Sequence, residues 1–210
     1  MSVALAERKK EDRELQLSRI IEALGAKSIV LIGLMGAGKT AVGKRLGAKL
    51  DLPFVDADKE IEQAAGQSIT EIFAEHGETY FSQGERKVIA RLLEAGPQVL
   101  ATGGGAYMTA ETRTTIKERG ISIWLRAELP VLLHRVKRRN HRPLLTGLDN
   151  EQVMRNLMAE RYPIYAEADI IVESRDVPHE VIVKETIDAL AAKLDCQNTG
   201  PWAPRSDKVI

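Results

Sequence analysis

Residues 28–40 constrain the fold of this chain more than any other stretch. Residues 28–32 are a short apolar run rich in β-branched side chains, which predicts a fully buried strand. The sequence GLMGAGKT follows at residues 33–40, and residues 41–50 have the composition of a helix. Strand, glycine-rich loop and helix in this order are typical of a phosphate-binding loop, whose backbone N–H groups and helix N-terminus face phosphate oxygens. The sequence therefore predicts a nucleotide phosphate site at residues 33–40.

Two side chains complete this predicted site. Lys39 provides a cation for the β- and γ-phosphates, and Thr40 provides a hydroxyl ligand for Mg²⁺. The alternative is a tight turn between a core strand and a helix, with an exposed lysine. The flanking strand and helix favour the phosphate site, because the motif requires that context.

The composition limits the remaining possibilities. A chain of 210 residues is long enough for one domain with a substantial core. Its 30 basic and 30 acidic residues balance, which argues against a dedicated nucleic-acid-binding protein. Cys196 is the only cysteine, so an internal disulfide is excluded and a reducing compartment is favoured. Residues 1–19 do not have the apolar segment of a secretory signal, and no apolar run is long enough to span a membrane, so we expect a cytoplasmic protein without a membrane partner.

Strands and helices alternate along the rest of the chain. Further strands are predicted at residues 52–56, 98–102, 121–125 and 170–172. Helices are predicted at residues 7–24, 84–94, 109–118, 129–138, 151–165 and 178–193, with short helices broken by Gly66 and Gly77 between residues 59 and 83. This alternation predicts a three-layer α/β fold, in which a mainly parallel five-stranded sheet has helices on both faces. Ligands of such folds bind at the carboxyl edge of the sheet, where three groups of residues fall in this sequence.

Asp56 and Asp58 lie at the end of the second predicted strand. Two residues apart in a strand, their side chains point to the same face. A kinase needs a carboxylate near Mg²⁺ and often a second one to hold or deprotonate the attacking hydroxyl. The alternative is that one of them caps the following helix. The phosphate loop upstream favours the chemical interpretation.

The triplet Gly103, Gly104 and Gly105 follows the third predicted strand. Consecutive glycines cost backbone entropy and add no packing. Either a ligand approaches this backbone closely, or the turn uses positive φ angles. The triplet is therefore a candidate wall of the same site.

Basic residues concentrate in two later segments. Residues 135–142 are a dense basic run followed by Pro143. Such a run is often a solvated helix end; the alternative is a mobile flap that closes arginines on a nucleotide, since a guanidinium binds phosphate bidentately and stacks on a base. Arg161 lies near the end of a long predicted helix, where the helix dipole alone favours a cation.

These residues indicate a small phosphotransferase with a P-loop, and they leave the acceptor open. In five segments the chain resembles the shikimate kinase family. The matching segments are the phosphate loop at residues 33–40, the Asp-x-Asp strand end at 54–58, the glycine triplet at 100–106, the lid sequence RPLL at 142–145 and the late helix at 160–165. The resemblance, over about residues 28–190, implies a P-loop kinase fold with small substrate-binding and lid segments. It also implies transfer of the γ-phosphoryl group of ATP to the 3-hydroxyl of shikimate, giving 3-phosphoshikimate for aromatic amino acid biosynthesis.

The resemblance also implies a role for each matching residue. The implied nucleotide-binding residues are Gly36, Ala37, Gly38, Lys39, Thr40, Ala41, Arg135 and Arg142. Arg135 lies against adenine, and Arg142 closes over the phosphates. The implied metal ligands are Thr40 and Asp56, the latter through water. The implied substrate-binding residues are Asp58, Gly103, Gly104, Gly105 and Arg161. Asp58 also takes the proton of the attacking hydroxyl, and Arg161 pairs with the shikimate carboxylate. The implied catalytic residues are Lys39, Asp58 and Arg142.

One position departs from the family pattern. The family normally has Phe-Arg-x-x-Glu after its Gly-Glu pair, whereas this chain has Ser82 in place of that arginine. The arginine grips the substrate carboxylate together with the residue that matches Arg161. Loss of a charged hydrogen-bond partner costs about 1.5–3 kcal/mol of binding, or roughly tenfold to over a hundredfold in affinity. Arg86 lies one helical turn further along and is the candidate replacement; we expect the site at Ser82 to be weakened.

Three functions are compatible with this sequence. The first is phosphorylation of shikimate with ATP and Mg²⁺. The second is phosphorylation of another small hydroxylated metabolite, such as a sugar acid, which Ser82 favours. The third is a nucleotide-binding module with little catalysis that acts through partners, against which the presence of Lys39, Thr40, Asp56 and Asp58 argues.

The expected organisation has three parts. Residues 1–27 form an N-terminal helical extension, residues 28–193 the P-loop kinase domain and residues 194–210 a C-terminal tail. Within the domain, residues 57–90 form the substrate-binding segment and residues 136–150 the lid. A small-molecule substrate is the expected partner, and a monomer is the expected state.

Overall fold

The structure, a computed structural model, describes residues 2–137 and 150–197. The strands are β1 (Ser28–Ile32), β2 (Phe54–Asp56), β3 (Val99–Ala101), β4 (Gly120–Arg126) and β5 (Ile170–Glu173). The helices are α1 (Ser2–Leu24), α2 (Lys39–Leu50), α3 (Ala57–Ala65), α4 (Ile69–Glu94), α5 (Ala110–Arg119), α6 (Leu129–Lys137), α7 (Asn150–Tyr165) and α8 (His179–Gln197), with a 3-10 helix at Ala106–Met108. Of the helices that the structure describes, none is long and apolar enough to cross a membrane.

The five strands form one sheet in the order β2-β3-β1-β4-β5, and every neighbouring pair is parallel. All five residues of β1 are buried, because helices cover both faces of a parallel sheet. Ile29 pairs with Val99 on one side and with Ile121 on the other. The predicted α/β fold is therefore confirmed, and β1, β2 and β3 end side by side at one edge of the sheet.

Helix α1 packs on the α/β domain rather than standing apart from it. Ile20 and Leu24 are buried in the core, and Leu17 and Ile21 pack against it. These are the four residues that the 3.6-residue period assigns to one face. The helix lies mainly along α8, so the predicted N-terminal extension is continuous with the domain core.

Helix α4 differs from the predicted short helices. Gly66 does end α3, with a φ of +66°, but Gly77 (φ 76°, ψ 178°) only kinks a helix that continues through residue 94. Ser68 begins α4 with the predicted capping box, in which its side chain accepts from the Glu71 N–H and its own N–H donates to the Glu71 carboxylate. These hydrogen bonds lower the pKa of Glu71. The kink leaves one long element whose second half reaches the carboxyl edge of the sheet.

The predicted lid and the predicted C-terminal tail lie only partly within the residues that the structure describes. Helix α8 continues to Gln197, four residues beyond the predicted end at residue 193, so the first residues of the predicted tail are helical. Most of the predicted lid, residues 138–149, lies outside the described residues, as does the rest of the tail from residue 198.

Candidate active site

A cavity of about 800 Å³ lies at the carboxyl edge of the sheet. Its wall includes residues from all three strand ends and from α4, α6 and α7. The sequence-predicted residues on the wall are Gly36, Gly38, Lys39, Thr40, Ala41, Asp56, Asp58, Ser82, Gly103, Gly104, Gly105, Arg135 and Arg161. Arg142 falls outside the described residues. One cavity therefore brings together most of the residues that the sequence marks as functional.

Ala37 is the exception among the described residues. It is fully buried behind the phosphate loop, and its N–H already donates to the Leu34 carbonyl at 3.1 Å. Its carbonyl accepts from Ser174 Oγ at 2.7 Å. Ala37 thus supports the loop from behind and is not among the described residues that line the cavity, and its contact with the nucleotide stays a prediction.

The loop between β1 and α2 has the geometry of an anion cradle. Gly33, Gly36 and Gly38 all have positive φ, and Gly38 is the N-cap of α2. The ammonium of Lys39 folds back across the loop and donates to the Gly33 carbonyl at 2.6 Å and to the Leu34 carbonyl at 3.2 Å. The N-terminus of a twelve-residue helix and a lysine therefore face the same space.

Thr40 and Asp56 meet at the ends of two different elements. The Thr40 hydroxyl donates to Asp56 Oδ2 at 3.1 Å. Asp56 occupies the N-cap position of α3, yet within the described part of the chain its side chain makes no capping hydrogen bond. The carboxylate faces the phosphate loop instead, so the interpretation of Asp56 as a helix cap is wrong.

Asp58 reaches the cavity by a different route from the predicted one. Strand β2 ends at Asp56, and Asp58 lies in the first turn of α3 rather than in a continued strand. The two carboxylates therefore share the cavity because a strand passes directly into a helix. Asp58 is inside the helix and not at its N-cap, so the capping alternative fails for this residue as well.

The glycine triplet allows charged side chains to lie directly against its backbone. A Cβ atom at Gly103 would lie 2.6 Å from Glu85 Oε1 and 2.9 Å from Asp58 Oδ1, and one at Gly104 would lie 3.1 Å from Arg161 Nη1. Of the described residues, none has an atom within 4 Å of such a Cβ at Gly105. The triplet does not contain a positive φ. Close approach, and not an unusual turn, explains the first two glycines.

Glu85 is a site residue to which the sequence analysis gave no role, although it matches the final Glu of the family pattern Phe-Arg-x-x-Glu. It is only 4% exposed, and its Oε1 has no hydrogen-bond partner among the described residues. Burial, followed by the nearby charge of Asp58, raises the pKa of Glu85 to about 7, and Arg161 opposes this shift. A signal was present: Glu85 stands four and seven residues before Ile89 and Leu92, on the face of α4 that the helical period assigns to the core.

Arg161 approaches the same place from α7. Its Nε is buried and has no hydrogen-bond partner within residues 2–137 and 150–197. Tyr165, one turn later, donates from its hydroxyl to the Gly104 carbonyl, and burial raises its pKa to about 12 against the influence of Arg161. Arg161 therefore faces the cavity and is not a solvated cation at a helix end.

Ser82 lies on the cavity wall one turn before Glu85, and Arg86 does not replace the absent arginine. The Arg86 guanidinium is 3.7 Å from Glu111 Oε1 on α5, on the outside of the molecule. At about 100° per residue, positions 82 and 86 are only about 40° apart around the helix, so the contact with Glu111, and not the helical period, directs the Arg86 side chain outward. The acceptor side therefore has a small hydroxyl at Ser82.

Arg135 is held beside the phosphate loop. Its Nη1 donates to Ser174 Oγ at 2.8 Å and to the Gly36 carbonyl at 3.2 Å, and its Nη2 donates to the Arg175 carbonyl at 2.5 Å. Partial burial lowers its pKa, and Asp176 opposes that effect. The side chain thus joins the loop after β1 to the loop after β5.

The fold and this site define a class of protein: a P-loop phosphotransferase for a small molecule. The shikimate kinase family model matches residues 35–191. The chain is 56% identical over 175 residues to the shikimate kinase of Bradyrhizobium diazoefficiens, covering 83% of this chain and 84% of that one. It is 57% identical over 178 residues to that of Rhodopseudomonas palustris, covering 85% and 88%. The chain belongs to the shikimate kinase family.

A solved structure agrees with these sequence relatives. The shikimate kinase of Acinetobacter baumannii, a complex with shikimate, superposes with a TM-score of 0.76 at 36% identity. The match covers 81% of this chain and 97% of that one. The predicted family resemblance and fold are confirmed.

Proposed function

We propose that this chain transfers the γ-phosphoryl group of ATP to the 3-hydroxyl of shikimate, giving 3-phosphoshikimate and ADP for aromatic amino acid biosynthesis. The observation that carries the proposal is that one cavity holds a phosphate-binding loop, the carboxylate of Asp58 and the guanidinium of Arg161. The Acinetobacter baumannii relative was solved with shikimate, which supports the choice of acceptor.

The nucleotide end uses the loop after β1. Backbone N–H groups at the start of α2 hold the phosphates, and Lys39 neutralises the charge that develops on the transferred group. Its ammonium already bonds the Gly33 and Leu34 carbonyls, so a phosphate enters by exchange for these contacts. Arg135 keeps the loop in place through the Gly36 carbonyl and is the proposed adenine contact. Arg142, which lies outside the described residues, is the proposed second cation for the phosphates.

The same end fits Mg²⁺. A hydroxyl and a carboxylate, Thr40 Oγ1 and Asp56 Oδ2, lie 3.1 Å apart and face the phosphate loop. Hard oxygen ligands of this kind suit Mg²⁺, which usually keeps several waters and binds substrate phosphates. The described residues contain no cluster of three or more His, Cys, Asp and Glu side chains, so phosphates and water must complete the shell. When bound, the ion neutralises phosphate charge, and Thr40 and Asp56 hold it in place.

The acceptor end uses α3, α7 and the glycine triplet. Asp58 accepts a hydrogen bond from the attacking hydroxyl and takes its proton, which leaves a nucleophilic oxygen beside the phosphate loop. Arg161 pairs with the carboxylate on the other side of the shikimate ring. Glycine at 103 and 104 leaves room beside the backbone for the charged side chains of Asp58, Glu85 and Arg161, which surround the acceptor. Most of the catalytic effect then comes from holding the two reactants in line.

A second acceptor remains a candidate because of Ser82. A family member that has lost one of two arginines for the substrate carboxylate discriminates less strongly for that carboxylate. A small hydroxylated metabolite such as a sugar acid could then compete. We propose in either case a cytoplasmic enzyme, in keeping with its single cysteine, and one that acts as a monomer.

A substrate panel tests the proposal. Purified protein with Mg-ATP is given shikimate or one of several sugar acids and polyols, and ADP release and phosphorylated product are measured together. We expect shikimate to give the highest kcat/KM and a 3-phosphorylated product. If shikimate up to millimolar concentration yields no product, the proposal is wrong; if another acceptor is turned over faster, the second candidate replaces it.

A further inference from the structure

Glu85 is a buried acid in a pocket that must accept an anion. It lies on α4, is 4% exposed, and its Oε1 has no hydrogen-bond partner in the described ranges. A buried carboxylate oxygen without a hydrogen-bond partner is costly, so such a group either binds a ligand atom or holds a proton. Its position beside Gly103 places it against the wall of the acceptor cavity.

The groups that face Glu85 come from three directions. Asp58 approaches from α3, Arg161 and Tyr165 approach from α7, and the backbone of Gly103 approaches from the loop after β3. Helix α5 also packs on α4, but it directs Glu111 outward to Arg86.

Acidic residues dominate this side of the cavity. The described residues that line it on α3, α4 and α7 include four acids, Asp58, Glu78, Glu85 and Glu160, and one base, Arg161. Ser82, on the same wall, has no charge. An acceptor with a carboxylate therefore adds negative charge to a site that does not have enough positive charge to balance it.

We propose that Glu85 is a specificity residue of this acceptor site, and that a carboxylate-bearing acceptor binds together with one proton, which Glu85 takes up. The inference rests on the proposed function. Binding then converts an ionised Glu85 and a free proton into a neutral Glu85 carboxylic acid beside the bound anion. When Glu85 is neutral, the Arg161 guanidinium is available to pair with the acceptor carboxylate. When Glu85 is ionised, it competes with the acceptor for that guanidinium.

The raised pKa of Glu85 places its proton uptake within the pH range of ordinary binding assays. Because the pKa of Glu85 is about 7, its carboxyl group is mostly protonated at pH 6 and mostly ionised at pH 8. The acceptor's own carboxylate is ionised throughout this range, since ordinary carboxyl groups titrate near pH 4. Affinity should therefore fall about tenfold between pH 6 and pH 8, as one proton must be supplied.

Calorimetry of shikimate binding measures this proton uptake directly. Nucleotide is left out, because its phosphates also titrate near pH 6 and would add their own protons to the count. Titrations in buffers of different ionisation enthalpy count the protons taken up. We expect about one proton per shikimate at pH 8 and close to none at pH 6 for the native protein. The Glu85→Gln variant should take up none at either pH, and it should bind about tenfold more tightly than the native protein at pH 8.

Two controls make the result specific. Glu94→Gln removes the same charge from an exposed position of the same helix and should keep the native pH dependence. Ser82→Arg supplies a second cation and should reduce the pH dependence of shikimate affinity. A native affinity that does not change with pH, or a pH dependence that survives in Glu85→Gln, would overturn the inference while leaving shikimate as the acceptor. Absence of shikimate binding and turnover at pH 6 in the native protein and in Ser82→Arg would overturn the proposed function and this inference with it.

Discussion

The Ser82→Arg substitution is the sharpest test of how this acceptor site works. Ser82 lies on the cavity wall on the same helix as Glu85, and the described wall of this side contains one guanidinium, that of Arg161. A second guanidinium, partly buried and opposite an anionic ligand, should add a charged hydrogen bond worth about 1.5–3 kcal/mol. That free energy corresponds to a fall in KM for shikimate of about ten- to hundredfold.

The effect should appear in KM more than in kcat. The carboxylate of the acceptor is remote from the hydroxyl that reacts, so the new contact is present equally in the ground state and the transition state. The KM for ATP should not change, because the phosphate loop is held by β1, α2 and Arg135. Steady-state kinetics with one substrate varied at a time measures all three quantities.

Two further variants separate charge from size. Ser82→Gln lengthens the side chain without a charge and should lower KM little. Ser82→Lys adds a point charge that cannot bind a carboxylate with two parallel bonds, so its effect should be intermediate. If Ser82→Arg leaves KM for shikimate unchanged, or if Ser82→Gln lowers it equally, the missing-cation argument is wrong.

Three other perturbations have defined outcomes. Lys39→Ala should abolish measurable turnover with an unchanged circular dichroism spectrum, and normal turnover would contradict its role. Gly103→Ala should raise KM for shikimate in steady-state kinetics, because its Cβ would lie 2.6 Å from Glu85 Oε1 and 2.9 Å from Asp58 Oδ1 and would displace both carboxylates; a native KM would contradict this. The pKa of Glu85 is raised from 4.5 to about 7 in the folded protein, so its stabilising effect is present at acid pH and is lost as the pH rises through 7. Urea unfolding at pH 5 and pH 8 should show the native protein losing about 2–3 kcal/mol relative to Glu85→Gln, and equal responses of the two proteins would refute this assignment.

Much of the fold was predictable because its signals are local. The apolar run of β1 and the glycine loop after it predict a buried parallel strand and a phosphate site within thirteen residues. Strand and helix alternation then predicts the sheet. Gly77 was harder to interpret, because a single glycine with a positive φ can kink a helix without ending it, and packing on both sides of α4 decides which occurs.

The acceptor side was less predictable because it depends on contacts between distant segments. Arg161 and Gly104 are 57 residues apart in the sequence, and only the fold brings them together. Glu85 resembles any charged residue of an amphipathic helix until its spacing from Ile89 is considered. Arg86 is a plausible substitute for an arginine at position 82 by sequence distance, but its partner on α5 holds it on the outer surface.

The division of the cavity between separate elements has an evolutionary consequence. The triphosphate end rests on β1 and α2, whereas the acceptor end rests on α3, α4 and α7. The acceptor specificity of such an enzyme can therefore change in evolution through single replacements along the inner face of α4, without changes in the residues that bind the triphosphate. Conversely, inserting or deleting one residue between Gly77 and Ser82 would turn the inner face of α4 by about 100° and remove both Ser82 and Glu85 from the pocket at once. Drift at this end of the enzyme should therefore proceed by substitution and not by changes in length.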